Sequence, residues 1–271
     1  MTRLVLCDID ATLVNEKKEL TPRTKEALIQ LHENGIYFGI ASGRPVDELK
    51  RNKEYWALPF DFDFVMGMNG AELWDGIHQK EYSYFMMKKE WLKETMEIMN
   101  VVECNPFVYW DGKLRCIQID DMMIHSASTS HKELEVVDLE ELYAHENAKI
   151  MFRMKEEDMP KAEAWVKEHP SPYYHGFKTQ TTLLEFCDKR INKGYGLKKI
   201  CELNDMDTKD VMAFGDTSND NEMLKAAGCG VCMINGTQDT KACANAITKF
   251  DNDHDGLAMY LEESGILCQK Y

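Results

Sequence analysis

Along residues 1–81, short continuous apolar runs alternate with stretches whose apolar positions recur at helical spacing. Leu4, Val5, Leu6 and Cys7 form the first run. It lacks the polar alternation of a half-exposed strand, so it predicts a strand covered on both faces of a parallel sheet. A helix follows in "TPRTKEALIQLHENG", with Thr21 as N-cap, Pro22 at the first helical position and Gly35 as the stop. "IYFGIASGR" is a second strand and "FDFVMGMNGA" a third, separated by "DELKRNKEYWAL", which gives β-α-β-α-β and a parallel sheet with covering helices.

The pattern changes over residues 82–188. There the chain predicts a helix in "MMKKEWLKETMEIMN", a hairpin in "FVYWDGKLRCIQID" turning at Asp111-Gly112, and a strand in "KIMFRM". A helix in "EDMPKAEAWVKEH" and a strand near "TTLLEFC" complete a separate α+β domain. Alternation then resumes over residues 189–271, with helix "GYGLKKICELN", strand "DVMAFGD", helix "SNDNEMLKAAG", strand "CGVCMIN" and a last helix around "DGLAMYLEES". The predicted fold is therefore α/β: one parallel-sheet core, 1–81 and 189–271, interrupted by an inserted α+β domain. No internal repeat or low-complexity linker breaks this reading.

Bulk properties narrow the function classes. A chain of 271 residues can form a sizeable core and a second domain. Lys and Arg number 32 against 47 Asp and Glu, and the net charge of −15 works against nonspecific binding to nucleic acid or an anionic membrane. No apolar run approaches the roughly 20 residues of a membrane span, and the charged start "MTRLVLCDID" lacks a signal-peptide core, so the expected location is cytoplasmic. The nine cysteines are odd in number and scattered from Cys7 to Cys268, which predicts reduced thiols. "CGVC", Cys229 to Cys232, runs on into Met233 and Ile234 as a strand would and reads as core packing.

Against this background, Asp8 and Asp10 stand out, because they charge the end of an otherwise apolar strand. Carboxylates there are costly without a partner. Ligands of open α/β sheets gather at the carboxyl ends of the strands, so a cation or a phosphate-bearing ligand is the expected compensation. Three further strand ends are read as polar: Ser42 in "GIASGRP", Lys193 in "INKGYGL", and Asp216, Asn219 and Asp220 in "FGDTSNDNEML". Singly these are caps, turns and solvated residues. Their order and placement together point to one site.

This ordered set resembles the haloacid dehalogenase superfamily, and the long insertion between Ser42 and Lys193 is similar to the class IIB cap of its Cof-type subfamily. The resemblance rests on "DIDATL", "ASGRP", "MNGAEL", "NKGYGL", "GDTSNDNEML" and "DHDGLAMYL" and covers nearly the whole chain. It implies a Rossmann-like core and a magnesium-dependent phosphatase of small phosphorylated metabolites, sugar phosphates or phosphorylated cofactors, working through an aspartyl-phosphate. Asp8 is then the nucleophile and Asp10 the general acid and base. Ser42 and Lys193 hold the phosphate, with Asn219 facing it, while Mg2+ takes Asp8, Asp216 and the backbone carbonyl of Asp10. Asp220 orients Lys193, and the inserted domain closes over the site and shapes specificity.

The chemistry independently wants these residue types. An anionic Asp8 attacks a charged phosphoryl group only if a hard cation and donors neutralise the field. The Ser42 hydroxyl and the unshielded Gly43 amide suit a phosphate oxygen. A phosphotransferase or mutase would use the same intermediate with a sugar hydroxyl as acceptor. A receiver-type aspartyl-phosphate module gains nothing from an acid at Asp10, and a dinucleotide-binding fold lacks GxGxxG after its first strand. One departure is Ala11, where the family has Gly, since a positive φ is disfavoured there. Which of Arg44, Asn69, Tyr173, Tyr174, His175 and Lys178 reach a ligand is open at this stage, and a surface cluster accounts equally well for "YYHGFK".

Overall fold

The computed structural model describes residues 2–268. The first segment contains β1 (Leu4–Asp8), α1 (Pro22–Glu33), β2 (Tyr37–Ala41), α2 (Val46–Leu49), α3 (Asn52–Tyr55), β3 (Phe64–Gly67), β4 (Glu72–Asp75) and β5 (Lys80–Ser83). Next come α4 (Lys89–Met99), β6 (Cys104–Trp110), β7 (Lys113–Cys116), α5 (Asp121–Thr129), β8 (Glu133–Val136), β9 (Lys149–Met154), α6 (Met159–Glu168), β10 (Tyr174–Gln180) and β11 (Leu183–Asp188). The last segment holds α7 (Lys193–Leu203), β12 (Val211–Gly215), α8 (Asn221–Ala226), β13 (Cys229–Cys232), α9 (Gln238–Cys243), β14 (Ala246–Ile247) and α10 (Gly256–Glu263). The chain divides into two compact units, Met1–Tyr82 with Asn192–Tyr271, and Ser83–Ile191.

The first unit is an α/β core around a sheet of order β14-β13-β12-β1-β2-β3-β4-β5. Strands from β14 to β3 run parallel, and β4 returns antiparallel to β3. The apolar β1 lies at the centre, paired in register with β12 and β2, and every residue of it is buried. Val5 and Cys7 pack with Phe38, Ile40 and Phe214 and with Leu28 and Leu31 of α1 and Leu257 and Leu261 of α10. The cap of α1 forms as its sequence requires: the Thr21 side chain accepts from the Thr24 amide, with Pro22 opening the helix. The stretch "FDFVMGMNGA" is not one strand. β3 stops at Gly67, and Met68, Asn69 and Gly70, all with positive φ, turn the chain back into β4.

The second unit is a six-stranded sheet of order β10-β11-β9-β6-β7-β8 with α4 and α6 supplying Leu92, Met96, Met159 and Ala162 to one core. A second core, Phe107, Leu114, Met123, Ala127, Met151 and Leu183, joins the strands to α5. The β6–β7 hairpin turns at Asp111 and Gly112, whose φ values of 51 and 74 match the positive-φ pair that a two-residue hairpin loop demands. The stretch "YYHGFK" is largely strand: β10 begins at Tyr174, pairs with β11 and forms the sheet edge, with Tyr174 buried and His175 and Lys178 outward. Gly176 and the interleaved polar residues mask its strand pattern.

Candidate active site

Strand register brings the strand-end residues together. Asp8 ends β1 opposite Ala41, so Ser42 follows beside it; Cys7 pairs with Phe214, so Asp216, just past β12, arrives at the same end. In a parallel sheet all these carboxyl ends point one way, and their polar residues converge. Lys193 reaches the group by another route than the strand end read from the sequence. It is the first residue of α7, whose N-cap Asn192 accepts from the Tyr195 amide.

Lys193 is fully buried and its Nζ lies 2.5 Å from Asp8 Oδ1 and 2.6 Å from Asp220 Oδ1. Burial acts against the ammonium, but Asp220 and Asp8 outweigh it and hold the Lys193 pKa well above its usual value. Asp220 is itself held in place: its other oxygen accepts the Asp216 amide at 3.0 Å and the Thr217 amide at 3.2 Å. Gly215 makes room for it, since a Cβ there would lie 2.5 Å from the Asp220 Cβ. With Thr217, Asp220 also closes a capping box, so capping falls to this pair instead of Asp216 and Asn219.

Asp8, Asp216 and Asp220 each offer a carboxylate oxygen within 4.8 Å of the others. Burial pushes the Asp8 carboxyl up; Lys193 opposes this, and Asp220 and Asp216 add to it. Burial, with Asp220 next in weight, pushes Asp216 up to about 6, against a 2.9 Å hydrogen bond donated by Thr12. Three carboxylates facing one ammonium leave an excess of negative charge among hard oxygen donors, the donor type magnesium takes. The residues present therefore fit a divalent cation.

Asp10 lies apart from that cluster in its side-chain contacts. Lys18 Nζ is 2.7 Å from its Oδ1, and Arg44 Nη2 is 3.1 Å from Oδ2 while Nη1 reaches Glu48 at 3.2 Å. Burial raises the Asp10 carboxyl, but Arg44 and Lys18 prevail and hold it below the ordinary range. Ser42 is buried, and its Oγ accepts the Arg44 amide at 3.4 Å. Gly43 faces the Asn69 side chain, and Asn69 Oδ1 accepts from Asn219 Nδ2 at 3.4 Å, so the candidate phosphate-binding residues of three loops adjoin. Ala11 takes φ 58 and ψ 10 despite its Cβ, and its carbonyl accepts from Asn235 Nδ2 at 2.8 Å. Thr12, Lys18 and Asn235 were not singled out from sequence; only their nearness to "DID" or to the strand after β12 marked them.

A model of the haloacid dehalogenase-like hydrolases matches residues 5–261, and the chain belongs to that family, in its Cof-type branch. It is 27% identical over 270 residues to the 5-amino-6-(5-phospho-D-ribitylamino)uracil phosphatase YitU of Bacillus subtilis, covering 96% of each chain. A second relative from that organism, the phosphatase YcsE of the same stated substrate, is 28% identical over 256 residues, covering 94% of this chain and 93% of its own. Among solved structures, a haloacid dehalogenase-like hydrolase from Bacteroides thetaiotaomicron superposes with a TM-score of 0.88 at 25% identity, covering 97% of this chain and all of the other. The subclass IIB sugar phosphatase BT4131 superposes with a TM-score of 0.82 at 24% identity, covering 98% and 100%, and shares the fold. The protein is a phosphohydrolase acting on phosphorylated substrates. Among the described residues no helix is long and apolar enough to cross a membrane.

Proposed function

We propose that this chain is a magnesium-dependent phosphatase of small phosphorylated metabolites that works through an aspartyl-phosphate on Asp8. The observation that carries the proposal is the buried Lys193, bridging Asp8 and Asp220 beside Asp216 at the carboxyl end of the sheet. Lys193 occupies Asp8 Oδ1, so the second oxygen is the attacking atom. It bonds to phosphorus while the bond from phosphorus to the leaving oxygen breaks, and protonated Asp10 gives its proton to that oxygen. Asp10 then takes a proton from water; the water oxygen attacks the phosphorus, inorganic phosphate departs and the Asp8 carboxylate returns. Anionic Asp10, as Arg44 and Lys18 hold it, is the form the second step needs, and delivering a proton in the first requires loosening that grip.

Ser42, Gly43, Asn219 and Lys193 hold the phosphoryl oxygens. Asp8, Asp216 and the Asp10 carbonyl would hold the magnesium ion, which supplies charge neutralisation of the phosphoryl group when bound. Selection among metabolites is assigned to the inserted unit, Ser83–Ile191. The names of the Bacillus relatives make a phosphorylated ribitylaminouracil one substrate to try beside sugar phosphates. The test is release of inorganic phosphate from a panel of phosphorylated sugars, nucleotides and cofactor precursors, with magnesium and with a chelator. Turnover undiminished by the chelator would remove the metal, and phosphate passed to a sugar hydroxyl would make the protein a transferase.

A further inference from the structure

Arg44 divides its guanidinium between two carboxylates of the core unit. Nη2 lies 3.1 Å from Oδ2 and 3.3 Å from Oδ1 of Asp10, while Nη1 lies 3.2 Å from Oε1 of Glu48, a residue only 4% exposed. A guanidinium and a carboxylate left to themselves pair differently. Two parallel N–H···O bonds from adjacent nitrogens make the strong bidentate pair, and the planar fork of an arginine is shaped for it. Asp10 meets one arm of that fork because Glu48 holds the other.

The hold is rigid at its base. Glu48 lies on α2, where its neighbours Val46 and Leu49 are buried in the main apolar core. The turn is also tied to β3 and β4: the Val46 amide donates to Glu72 Oε2 at 3.0 Å, and the Arg44 carbonyl accepts from the Met68 amide at 2.9 Å. Gly67 permits this approach, since a Cβ there would lie 2.8 Å from the Arg44 carbonyl oxygen. Burying a carboxylate is a poor means of stabilising a four-residue helix, because the desolvation cost offsets the attraction. What Glu48 secures is the direction of Arg44. Lys18, the other cation on Asp10, has 62% of its side chain exposed and is free to withdraw.

We propose that Glu48 is a positioning residue for the phosphatase reaction: by keeping one arm of Arg44 it stops the fork from closing on Asp10, and so leaves the Asp10 carboxyl free to serve the leaving oxygen. The proposal rests on the reading of Asp10 as the proton carrier. A carboxylate locked by both arms has its oxygens committed and does not deliver a proton. The loss then depends on the substrate, since an alkoxide needs a proton as its bond to phosphorus breaks, whereas para-nitrophenolate departs without one.

The test measures kcat/KM, which reports the steps up to departure of the leaving group, for para-nitrophenyl phosphate and for an alkyl phosphate in the full chain. Glu48→Ala is expected to lower it by about tenfold or more for the alkyl phosphate and by less than about threefold for the aryl one. Glu48→Gln, which keeps an oxygen for Nη1, is expected to recover most of the loss. Should Glu48→Ala fail to fold, Glu48→Asp keeps the charge but shortens the reach and must show the same split. Equal losses on both substrates, or no loss on either, overturn the proposal. Asp10→Asn in the same assay separates the two readings. If it leaves the ratio between the substrates unchanged, Asp10 is not the acid and the proposal falls with that reading; if it shifts the ratio and the Glu48 variants do not, the proposal falls alone. Should the parent turn over no alkyl phosphate, the crystal structure of the folded variant decides: Nη1 of Arg44 moving onto Asp10 is the expected result, and Nη1 staying off it overturns the proposal.

Discussion

The two sheets of this protein bury charge in opposite ways. In the core, β1 is apolar from Leu4 to Cys7 and its charge waits at the end, where Asp8 meets Lys193 and Asp220. In the inserted unit the charges sit inside the strands: β9 and β11 are buried along their lengths yet carry Lys149, Arg153, Glu185 and Asp188. Parallel strands send all their carboxyl ends to one side, so charges at those ends find one another across strands that are distant in sequence. Antiparallel strands alternate, and a buried charge is matched by neighbours on adjacent strands, as Lys149 is by Glu185 at 2.9 Å. The core's charges gather at one end of the sheet, whereas the Lys149–Glu185 pair lies within the strands themselves.

Single substitutions can break this contrast. Asp8→Asn should cut turnover by about 10⁴-fold or more while the thermal melt stays cooperative, because the nucleophile is lost and the strand is not. A folded Asp8→Asn protein that releases phosphate near the parent rate would falsify the assignment. Lys193→Met should lower kcat by about 10²–10³-fold for every substrate alike. In the inserted unit the effect should fall on stability instead. Lys149→Met leaves Glu185 buried without its cation and should cost about 3–5 kcal/mol in urea unfolding, whereas Lys149→Met combined with Glu185→Leu should recover most of that loss. If the double variant stays as unstable as the single one, the pair is not what holds those strands.

The same difference decides what could be read from sequence. β1, α1 and the convergence of Asp8 and Asp216 were legible because apolar period, capping residues and parallel topology all act locally or at strand ends, whereas Lys193 joins them from the first turn of α7. Lys18 and Arg44 on Asp10 were not, since those contacts depend on how the loops after β1 and β2 fold back, which no periodicity encodes. β10 was obscured by Gly176 and by outward polar residues at a sheet edge.

A smaller effect tests whether the core's charge cluster is built for a cation. The Asp216 pKa is raised to about 6, so the metal-free folded state holds a proton there that the unfolded chain, near 3.8, has already released. Between these values the folded protein binds more protons, and stability falls as pH rises through the window. Asp216→Asn should therefore be more stable than the parent without metal at pH 7, by about 1–2 kcal/mol, and the advantage should vanish below about pH 4. Magnesium should stabilise the parent and not the variant. An advantage that grows as the pH falls would show that the carboxylate is stabilised in the fold, against the cluster described here.

The smallest expected effect concerns two positive-φ residues, one in each unit. Ala11 sits at φ 58 next to Asp10 in the loop after β1, and Asp111 at φ 51 in the β6–β7 turn. A Cβ in this region costs about 1–2 kcal/mol, whereas Asp tolerates it better by hydrogen bonding locally. Glycine removes the strain but gives the unfolded chain more freedom, which takes back roughly 0.5–1 kcal/mol. Ala11→Gly should thus gain about 0.5 kcal/mol, a rise of about 1–2 °C in Tm, and Asp111→Gly should gain nothing. Because the Ala11 backbone already holds the left-handed geometry, its amide is placed as a glycine's would be, and kcat should change by less than about twofold. A rise in kcat of about tenfold, 1.4 kcal/mol of barrier, would instead mean that the methyl group of Ala11 obstructs the phosphoryl group, and that the core end is set back by its own side chain.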